Sequence, residues 1–349
     1  MPMLVGRTLR RALGTLVLLG AAGVASCESG YPPAPFDPPD PGPLATKDLT
    51  LVSLNVYHGN PLALVGCDAA THCRAAERVE LLGRHLEALG CPDLAVLQEV
   101  DTLMEQRLRD LAGDLCGGRY EVVIDPQPSL DIGIERHLLL SALPVLSATA
   151  FDLHAFPWVG LHVKVASEIG EVEIVSVHFA SSSSNPSCAD GSCPAVCPTD
   201  ADTNLCHAHE VRDRLARLGD PTAVHIVAGD FNAMPDEPTP GVLTDAGFVD
   251  AYGAAGNPEC GPTNGTGCTG GDRSNADLAN PRAWLEERID YVMVRGAAGC
   301  LPVFDTAGDH DGDGVGTGAF AHLPLSPASA GGPVWPSDHA GVALDLHCG

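Results

Sequence analysis

Short apolar runs of strand length recur along most of this chain, and many of them end in polar residues. Each run is rich in Val, Leu, Ile or aromatic residues and is bounded by Gly, Pro, Asn, Asp or Ser, which is typical of buried strands. The pattern predicts strands over 48–59, 92–101, 137–153, 158–167, 171–182, 223–232, 287–296 and 337–347, with 137–153 and 158–167 paired.

Two segments have the spacing of an amphipathic helix instead. Residues 74–90 place Val79, Leu82 and Leu86 on one face, and residues 209–219 repeat the pattern over a shorter length. Strands outnumber these helices, and several successive strands have no crossover helix between them. We therefore expect an α/β protein in which two mixed β-sheets pack face to face, with helices outside.

Polar residues that are capable of catalysis stand at six separate strand ends. One such residue has an ordinary explanation, because Asp often caps a turn and a single His is usually a surface or hydrogen-bonded residue. Six in one chain indicate that the sheets present a catalytic edge. These residues are Asn55, Glu99, His178, Asp230 with Asn232, Asp290, and Asp338 with His339.

The N-terminal segment has the pattern of an export signal. Three Arg residues precede the apolar stretch 12–25, which is too short for a comfortable membrane span. "VASC" resembles a bacterial lipobox and predicts that residues 1–26 are a signal peptide and that Cys27 is lipidated. The alternative is ordinary cleavage after Ser26 and secretion. Residues 27–47 are Pro-rich and predict a stiff tether to a domain over 48–349.

Cysteine usage agrees with export. The chain has 13 cysteines, so an even number remains once Cys27 is set aside, and an even set in an exported protein favours disulfides. A zinc site among the four cysteines of 188–206 is the alternative. The count does not give the connectivity. Close neighbours such as Cys67/Cys73 and Cys260/Cys268 are favoured as local disulfides, and Cys300 and Cys348, which each follow an apolar run, could tie two adjacent strands.

Composition limits the class of partner. The chain has 349 residues, is 45% hydrophobic and only 18% charged, and carries a net charge of −26. Such a chain is globular, and its charge gives no general attraction for a polyanion such as DNA, although a locally basic cleft or a divalent cation could offset it. Aromatic residues make up 5% of the chain, with no evident membrane-inserting hairpin.

The ordered motifs "SLNVYHG", "LAVLQEV", "SVHFASS", "AGDFNAMPD", "RIDYVMV" and "PSDHAGV" resemble those of the endonuclease/exonuclease/phosphatase superfamily. This is the DNase I-like group of metal-dependent phosphohydrolases, and the resemblance spans residues 48–347. It implies a four-layer α/β sandwich and a Mg²⁺-dependent phosphohydrolase, with Mn²⁺ as the alternative ion. A phosphodiesterase is the expected activity. Nucleic acid, phospholipid headgroups (sphingomyelinase-like) and inositol phosphates, which include phosphomonoesters, are the alternative substrates.

The resemblance also implies roles for the polar strand ends. Asn55 and Glu99 would hold the metal, with Asp338 near it. Asp230 would orient or deprotonate the attacking water, while Asn232, which shares its side of the strand, would donate to the phosphate. His178 and His339 would contact the phosphate, and Asp290 would accept a hydrogen bond from the second ring nitrogen of His339.

Two features depart from the family pattern. "LSA" at 140–142 stands where many members have "LSR", so an Arg at the edge of the substrate cleft is missing. Arg136 or His137 could take its place, or both could be plain residues at the start of a strand. A Cys-rich insertion, 181–206, follows His178. It either borders the cleft or is a disulfide-stapled surface loop.

A separate acidic cluster resembles the start of a Ca²⁺ loop. Asp309, Asp311 and Asp313 alternate, with Gly at the sixth position, but Phe320 stands where the bidentate Glu belongs. A partial Ca²⁺ site and a solvated turn both fit. A non-enzymatic, Ca²⁺-binding surface lipoprotein is therefore the distant alternative function, and we expect a monomer in either case.

Overall fold

The computed structural model describes a domain that begins at the first predicted strand. The segments described are 48–57, 74–124, 136–155, 158–181, 187–188, 191–199, 201–260, 267–271, 285–296, 300–303, 319–320 and 336–348. Several predictions fall outside these residues: the signal peptide, lipidation of Cys27, the tether, the disulfide Cys67–Cys73, and the Ca²⁺ loop with Asp309, Asp311 and Asp313.

Strands dominate the described residues, as the apolar runs predict. The strands are β1 (Asp48–Asn55), β2 (Leu94–Val100), β3 (Glu121–Ile124), β4 (Arg136–Ser141), β5 (Val145–Asp152), β6 (Val159–Ser167), β7 (Gly170–His178), β8 (Val224–Asp230), β9 (Val249–Asp250), β10 (Gly270–Gly271), β11 (Leu285–Glu287), β12 (Asp290–Arg295), β13 (Cys300–Val303), β14 (Ala319–Phe320) and β15 (Gly341–Cys348). The helices are α1 (Ala75–Ala88), α2 (Thr102–Ala112), α3 (Thr203–Leu218), α4 (Pro238–Asp245) and α5 (Ala251–Ala254), with a 3₁₀ turn at Leu115–Gly117.

Two mixed sheets are formed. The first has the order β13-β15-β1-β2-β4-β3, with β14 also paired to β15, and the second has the order β5-β6-β7-β8-β12-β9. The pairs β1/β2 and β7/β8 are parallel, and the other neighbours in both sheets are antiparallel. β10 and β11 form a separate antiparallel pair.

Three apolar clusters produce four layers. The central cluster joins the inner faces of the two sheets, for example Leu51 and Val96 of the first against Ile174 and Ile226 of the second. A second cluster packs α1 and α2 on the outer face of the first sheet. A third packs α3 and α4 on the outer face of the second sheet. The DNase I-like four-layer α/β sandwich is therefore confirmed.

Local details differ from the sequence predictions. The run 137–153 is two strands: β4 belongs to the first sheet and β5 to the second, and the chain changes sheet at Ala142–Pro144. The helices α2 and α4 were not predicted. The helix predicted at 209–219 begins earlier, at Thr203, because the Asp202 side chain caps it by accepting from Leu205 N. Residues 203–206 of the predicted insertion are therefore helical.

Disulfides bind the described cysteines. They join Cys260 to Cys268, as predicted, and also Cys91–Cys116, Cys188–Cys193 and Cys197–Cys206. The zinc alternative is thus wrong, because those four cysteines are consumed in two disulfides. Cys348 is also disulfide-bonded, and its partner in the β13/β15 ladder is Cys300. Within the described residues, no helix is both long and apolar enough to cross a membrane.

Candidate active site

Sheet topology brings the predicted strand ends to one edge. Because β1 and β2 are parallel, Asn55 and Glu99 emerge at the same edge of the first sheet. In the second sheet His178 is paired with Asp230 in the parallel β7/β8 ladder, and Asp230 is paired with Asp290 in the antiparallel β8/β12 ladder. An antiparallel strand begins where its neighbour ends, so Asp290 reaches this edge from the opposite chain direction.

The same alternation that builds the core points these side chains inward. Alternate residues of a strand share a face, and Val224, Ile226 and Ala228 lie in the central apolar cluster. Asp230 continues that series at the end of the strand. His178 continues the series of Val172 and Ile174 in the same way. The inner faces thus change from apolar to polar at one edge, between the two sheets.

Glu99 reaches this inner edge through a break in strand regularity. The β2/β4 ladder shifts register between Leu97 and Val100, and Glu99 has a left-handed backbone with φ 57°. Leu97 and Val100 both pack in the outer cluster under the helices. A regular strand would turn Glu99 toward that cluster, and the extra residue turns it inward instead. A strained backbone at a buried carboxylate is typical of a functional site.

Three side chains converge on a point that could hold a metal. Glu99, His178 and Asp230 each offer one ligand atom within 4.8 Å of the other two, and all three residues are buried. His178 Nε2 is 3.7 Å from Glu99 Oε1 and 3.6 Å from Asp230 Oδ2. Asn55 Nδ2 donates to both carboxylates, at 2.8 and 3.1 Å. A cation between these two buried carboxylates would offset their mutual repulsion, and their oxygens are the donors that hard divalent ions prefer.

His339 and Asp290 form a hydrogen-bonded pair beside this group. His339 Nδ1 is 2.9 Å from Asp290 Oδ2, and its Nε2 is 3.9 Å from Asp230 Oδ2. Burial lowers the pKa of His339, but the charges of Asp290, Asp230 and Asp338 outweigh it and raise the pKa to about 10. Burial also raises the pKa of Asp290. The pair therefore retains a proton at neutral pH, with Nε2 directed toward Asp230.

Asn232 lies in a turn and not on the strand, which corrects the expectation that it shares a strand face with Asp230. β8 ends at Asp230, and Asn232 has a left-handed backbone with φ 48°. The Asp230 carboxylate accepts from Asn232 N at 2.7 Å, and Asn232 Nδ2 donates to Phe179 O at 2.9 Å. A carboxylate that binds the backbone two residues later forms an Asx turn, and this turn keeps the two side chains adjacent.

Asp338 lies at the margin of the site. It is partly exposed. Its charge helps to raise the pKa of His339 and opposes the lowering of the pKa of Arg78 by burial. Two groups at this edge of the sheets could hold a metal, Glu99–His178–Asp230 and Asp230–Asp290–His339, and Asp338 belongs to neither. The structure therefore brings Asp338 close to the site without bringing it into the central group.

Arg78 is a buried site residue that the sequence analysis missed. Its guanidinium is fully buried and donates to Val56 O at 2.7 Å and Pro336 O at 3.2 Å, so it joins the segment after Asn55 to the segment before Asp338. Burial lowers its pKa to about 10, against the opposing effect of Asp338, Asp101 and Glu99. Its position four residues before Leu82, on the apolar face of α1, was the available signal.

Two buried hydroxyls fix the loops of the site and were also missed. Ser337 Oγ donates to Asn55 O and accepts from His339 N, which joins both sides of the β1/β15 edge. Thr269 Oγ1 accepts from the backbone N–H groups of Ile289 and Asp290, at 3.0 and 2.9 Å. A lone Ser or Thr carries no sequence signal of such a role, because its partners are distant in the chain.

The contacts of Arg136 and His137 do not support a role for either residue at the edge of the substrate cleft. Arg136 Nη1 forms an ion pair with Glu105 of α2 at 2.7 Å. His137 is buried between the sheets, where its Nδ1 is 2.7 Å from Ser176 Oγ. Both are engaged in the interior or with a helix, as strand-entry residues are.

Comparison with known proteins gives one family. A family model described as "Endonuclease/Exonuclease/phosphatase family" matches residues 52–339. No curated protein sequence matches the chain.

Solved structures share the fold at low sequence identity. A D. rerio TDP2 complex with a single-stranded DNA product is 16% identical, with a TM-score of 0.55, over 86% of this chain and 98% of that one. Beta toxin 275-280 from Staphylococcus aureus is 14% identical, with a TM-score of 0.56, over 86% and 100% of the two chains. A mannosyl-6-phosphatase from Bacteroides thetaiotaomicron is 14% identical, with a TM-score of 0.56, over 85% and 99%.

Proposed function

This chain belongs to the endonuclease/exonuclease/phosphatase family, and from that membership we propose that it is an exported, Mg²⁺-dependent phosphodiesterase. The chain is a metal-dependent phosphoric ester hydrolase; the diester preference, the identity of the ion and export are the proposal. The observation that carries it is the convergence of Glu99, His178 and Asp230, beside the His339–Asp290 pair, at one buried edge.

Glu99 would hold the divalent ion, with Asn55 and Asp338 beside it. Support comes from the contacts of Asn55 with both Glu99 and Asp230, and from the burial of Glu99. The ion would neutralise charge on the nonbridging phosphate oxygens and assist the leaving oxygen. Mn²⁺ presents similar ligand preferences and is the alternative ion.

The remaining side chains would handle protons and the phosphate. Asp230, fully buried, would orient the attacking water and accept its proton, with its second oxygen fixed by Asn232 N. His339, kept protonated by Asp290, would donate from Nε2 to the phosphate, and His178 would donate from the facing strand. Asn232 would bind the phosphate through a shift of its amide from Phe179 O.

Export and envelope anchoring form part of the proposal. The disulfides support an oxidising compartment, and the lipobox at Cys27 supports a lipid anchor. Among the structural neighbours, one is bound to a DNA product and another is a sugar phosphatase. The fold therefore serves both diesters and monoesters. The net charge of −26 weighs against nucleic acid as the general substrate.

A substrate panel tests the proposal. The purified protein is assayed on DNA, RNA, sphingomyelin, inositol phosphates and a chromogenic diester, each with Mg²⁺, with Ca²⁺ and with EDTA. We expect Mg²⁺-dependent cleavage of a diester that EDTA abolishes. Asp230→Asn and His339→Ala should each lower kcat on the order of 10³-fold. Losses of only a few-fold would show that Asp230 and His339 do not have the roles assigned to them. Activity that persists in EDTA would show that the reaction does not require a metal.

A further inference from the structure

Asn204 joins the two loops that carry the second sheet's catalytic residues. It lies in the first turn of α3 and is 4% exposed. Its Nδ2 donates to Ala180 O at 2.7 Å and to Phe231 O at 2.8 Å, so both of its amide hydrogens are used. Its Oδ1 accepts from Thr239 Oγ1 of α4. A buried side chain with every polar atom satisfied by fixed partners is rigid.

The two carbonyls that Asn204 binds are next to the reacting groups. Ala180 is two residues after His178, and Phe231 lies between Asp230 and Asn232. The same two loops also bind each other, because Phe179 N donates to Asp230 O at 2.9 Å. Asn204 therefore bridges the loops that directly follow the ends of β7 and β8. The side chains at those strand ends, His178 and Asp230, place Nε2 and Oδ2 3.6 Å apart.

The turn that carries Asn204 is itself held firmly. The Asp202 side chain caps α3, and the disulfide Cys197–Cys206 ties the first turn to the preceding loop. One turn later, His207 Nδ1 accepts from Ala180 N at 3.3 Å. Both backbone polar groups of Ala180 are thus bound by side chains of α3, so the loop after His178 is anchored to the start of this helix.

We propose that Asn204 is a positioning residue for hydrolysis: its amide holds the loops after His178 and Asp230 in the alignment that the reaction requires. This inference rests on the proposed function. Misplacement of a reacting group by about 1 Å can cost on the order of 10²-fold in rate even when the substrate still binds. Loss of the amide should therefore lower kcat and leave substrate and metal affinity largely unchanged.

Asn204→Asp is the sharpest test. It keeps the shape of the side chain and the acceptor for Thr239, but it places a carboxylate oxygen against the two carbonyls. We expect kcat to fall at least 30-fold, with KM and the Mg²⁺ concentration for half-maximal activity changed less than 3-fold, measured well below the melting temperature. In the metal-free protein, the ring NMR signals of His178 should broaden while those of His347 stay sharp. If Asn204→Asp does not fold, Asn204→Ala replaces it, with an expected loss of about 10-fold in kcat.

Two control variants separate positioning from stability. Thr239→Val removes the third hydrogen bond and leaves both loop contacts, so its kcat should stay within 3-fold. Asn257→Asp makes the same chemical change where Nδ2 donates to Tyr252 O, away from the site, and should leave kcat unchanged. An unchanged kcat in folded Asn204→Asp or Asn204→Ala, or a loss matched by Thr239→Val at equal stability, would overturn the inference. If the wild-type protein cleaves none of the substrates, the proposed function fails instead.

Discussion

The protonation of His339 depends on three carboxylates around it. Burial alone would keep the imidazole neutral, yet Asp290, Asp230 and Asp338 raise its pKa to about 10. Asp290 contributes both charge and the hydrogen bond to Nδ1, which also fixes the ring orientation. A charged residue in a buried position raises the free energy of the folded state. Perturbed groups of this kind are typical of active sites.

Asp290→Asn should lower both the pKa of His339 and the activity. Removal of the carboxylate removes a charge that favours the imidazolium, so the His339 ring should titrate at lower pH in the metal-free protein, as followed by NMR. We expect kcat to fall about 10²-fold or more. Asp48→Asn is the matched control, because Asp48 contacts His347 at 2.8 Å in a half-exposed pair. Equal effects of the two variants would contradict the prediction.

Glu210 on α3 should make stability depend on pH. Burial raises its pKa from 4.5 to about 7. The folded state thus binds this proton more tightly than the unfolded state, so the contribution of Glu210 to stability is full below pH 4.5 and is lost as the pH rises toward 7. Glu210→Gln keeps an acceptor for His154 N and carries no charge.

Urea unfolding at two pH values checks this. At pH 8, Glu210→Gln should raise the free energy of unfolding by on the order of 1 kcal/mol, a value that already allows for the partial exposure of the side chain. At pH 4.5 the substitution should change the free energy of unfolding little. Glu87→Gln on the exposed face of α1 should show no such difference. A Glu210→Gln effect that is equal at both pH values would exclude titration as its cause.

At the scale of elements, alternation along the strands was readable from the sequence, and interruptions of it were not. The series Val224, Ile226, Ala228, Asp230 identifies one face of β8 and its polar end from spacing alone. The bulge that turns Glu99 inward leaves no mark on that spacing, because it arises from the β2/β4 ladder. Its place at a strand end identified Glu99 as a candidate and the family resemblance gave it a role, while strand periodicity alone would have turned its side chain to the wrong face.

For the helices too, the regular apolar spacing could be read from the sequence, whereas the start of α3 was missed. α1 was predicted because its apolar positions repeat, whereas the first turn of α3 is polar and Cys-containing and was assigned to a loop. Its helical start depends on the Asp202 cap and on tertiary hydrogen bonds made by Asn204. The Asp202 cap is local and was an available signal for the helix start. The partner of Asn204, Ala180, is 24 residues away in the sequence, so propensity alone could not reveal that contact.

The disulfide Cys197–Cys206 should stabilise this element. It closes a loop with a sequence separation of 9, and loss of a crosslink over about that length costs about 2–3 kcal/mol in chain entropy of the unfolded state. The double variant Cys197→Ser/Cys206→Ser should therefore lower the free energy of unfolding by about that amount. Chemical denaturation measures it, and removal of the Cys188–Cys193 pair by serine substitution is the matched comparison. A double variant as stable as the parent would show that the crosslink constrains nothing.

At the scale of the whole molecule, the site is assembled from both sheets. Asn55 and Glu99 belong to the first sheet, and His178, Asp230 and Asp290 belong to the second. The order of motifs along the chain identified the fold and this edge. The substrate was not predictable, because the motifs that identify the family are shared by members that act on different phosphate esters.

Mg²⁺ should stabilise the whole fold. The carboxylates of Glu99 and Asp230 share the donation from Asn55 Nδ2, and a bound cation relieves their repulsion only in the folded state. Mg²⁺ at 100 times its Kd should add about 2.7 kcal/mol to the free energy of unfolding. Calorimetry of EDTA-treated protein, with and without Mg²⁺, measures the rise in Tm. Glu99→Gln should reduce the rise, and a rise that this variant retains in full would locate the ion elsewhere.

The contact between Asn55 and Asp230 has a consequence for how the protein matures. The two residues are 175 positions apart in the chain and lie on different sheets, which are joined at the core by apolar side chains. Contacts of such long range form late, after the loop between them has closed. A newly made chain therefore has no assembled active site until both sheets have packed. Before that step the polypeptide should not hydrolyse phosphate esters, and it becomes active only late in folding.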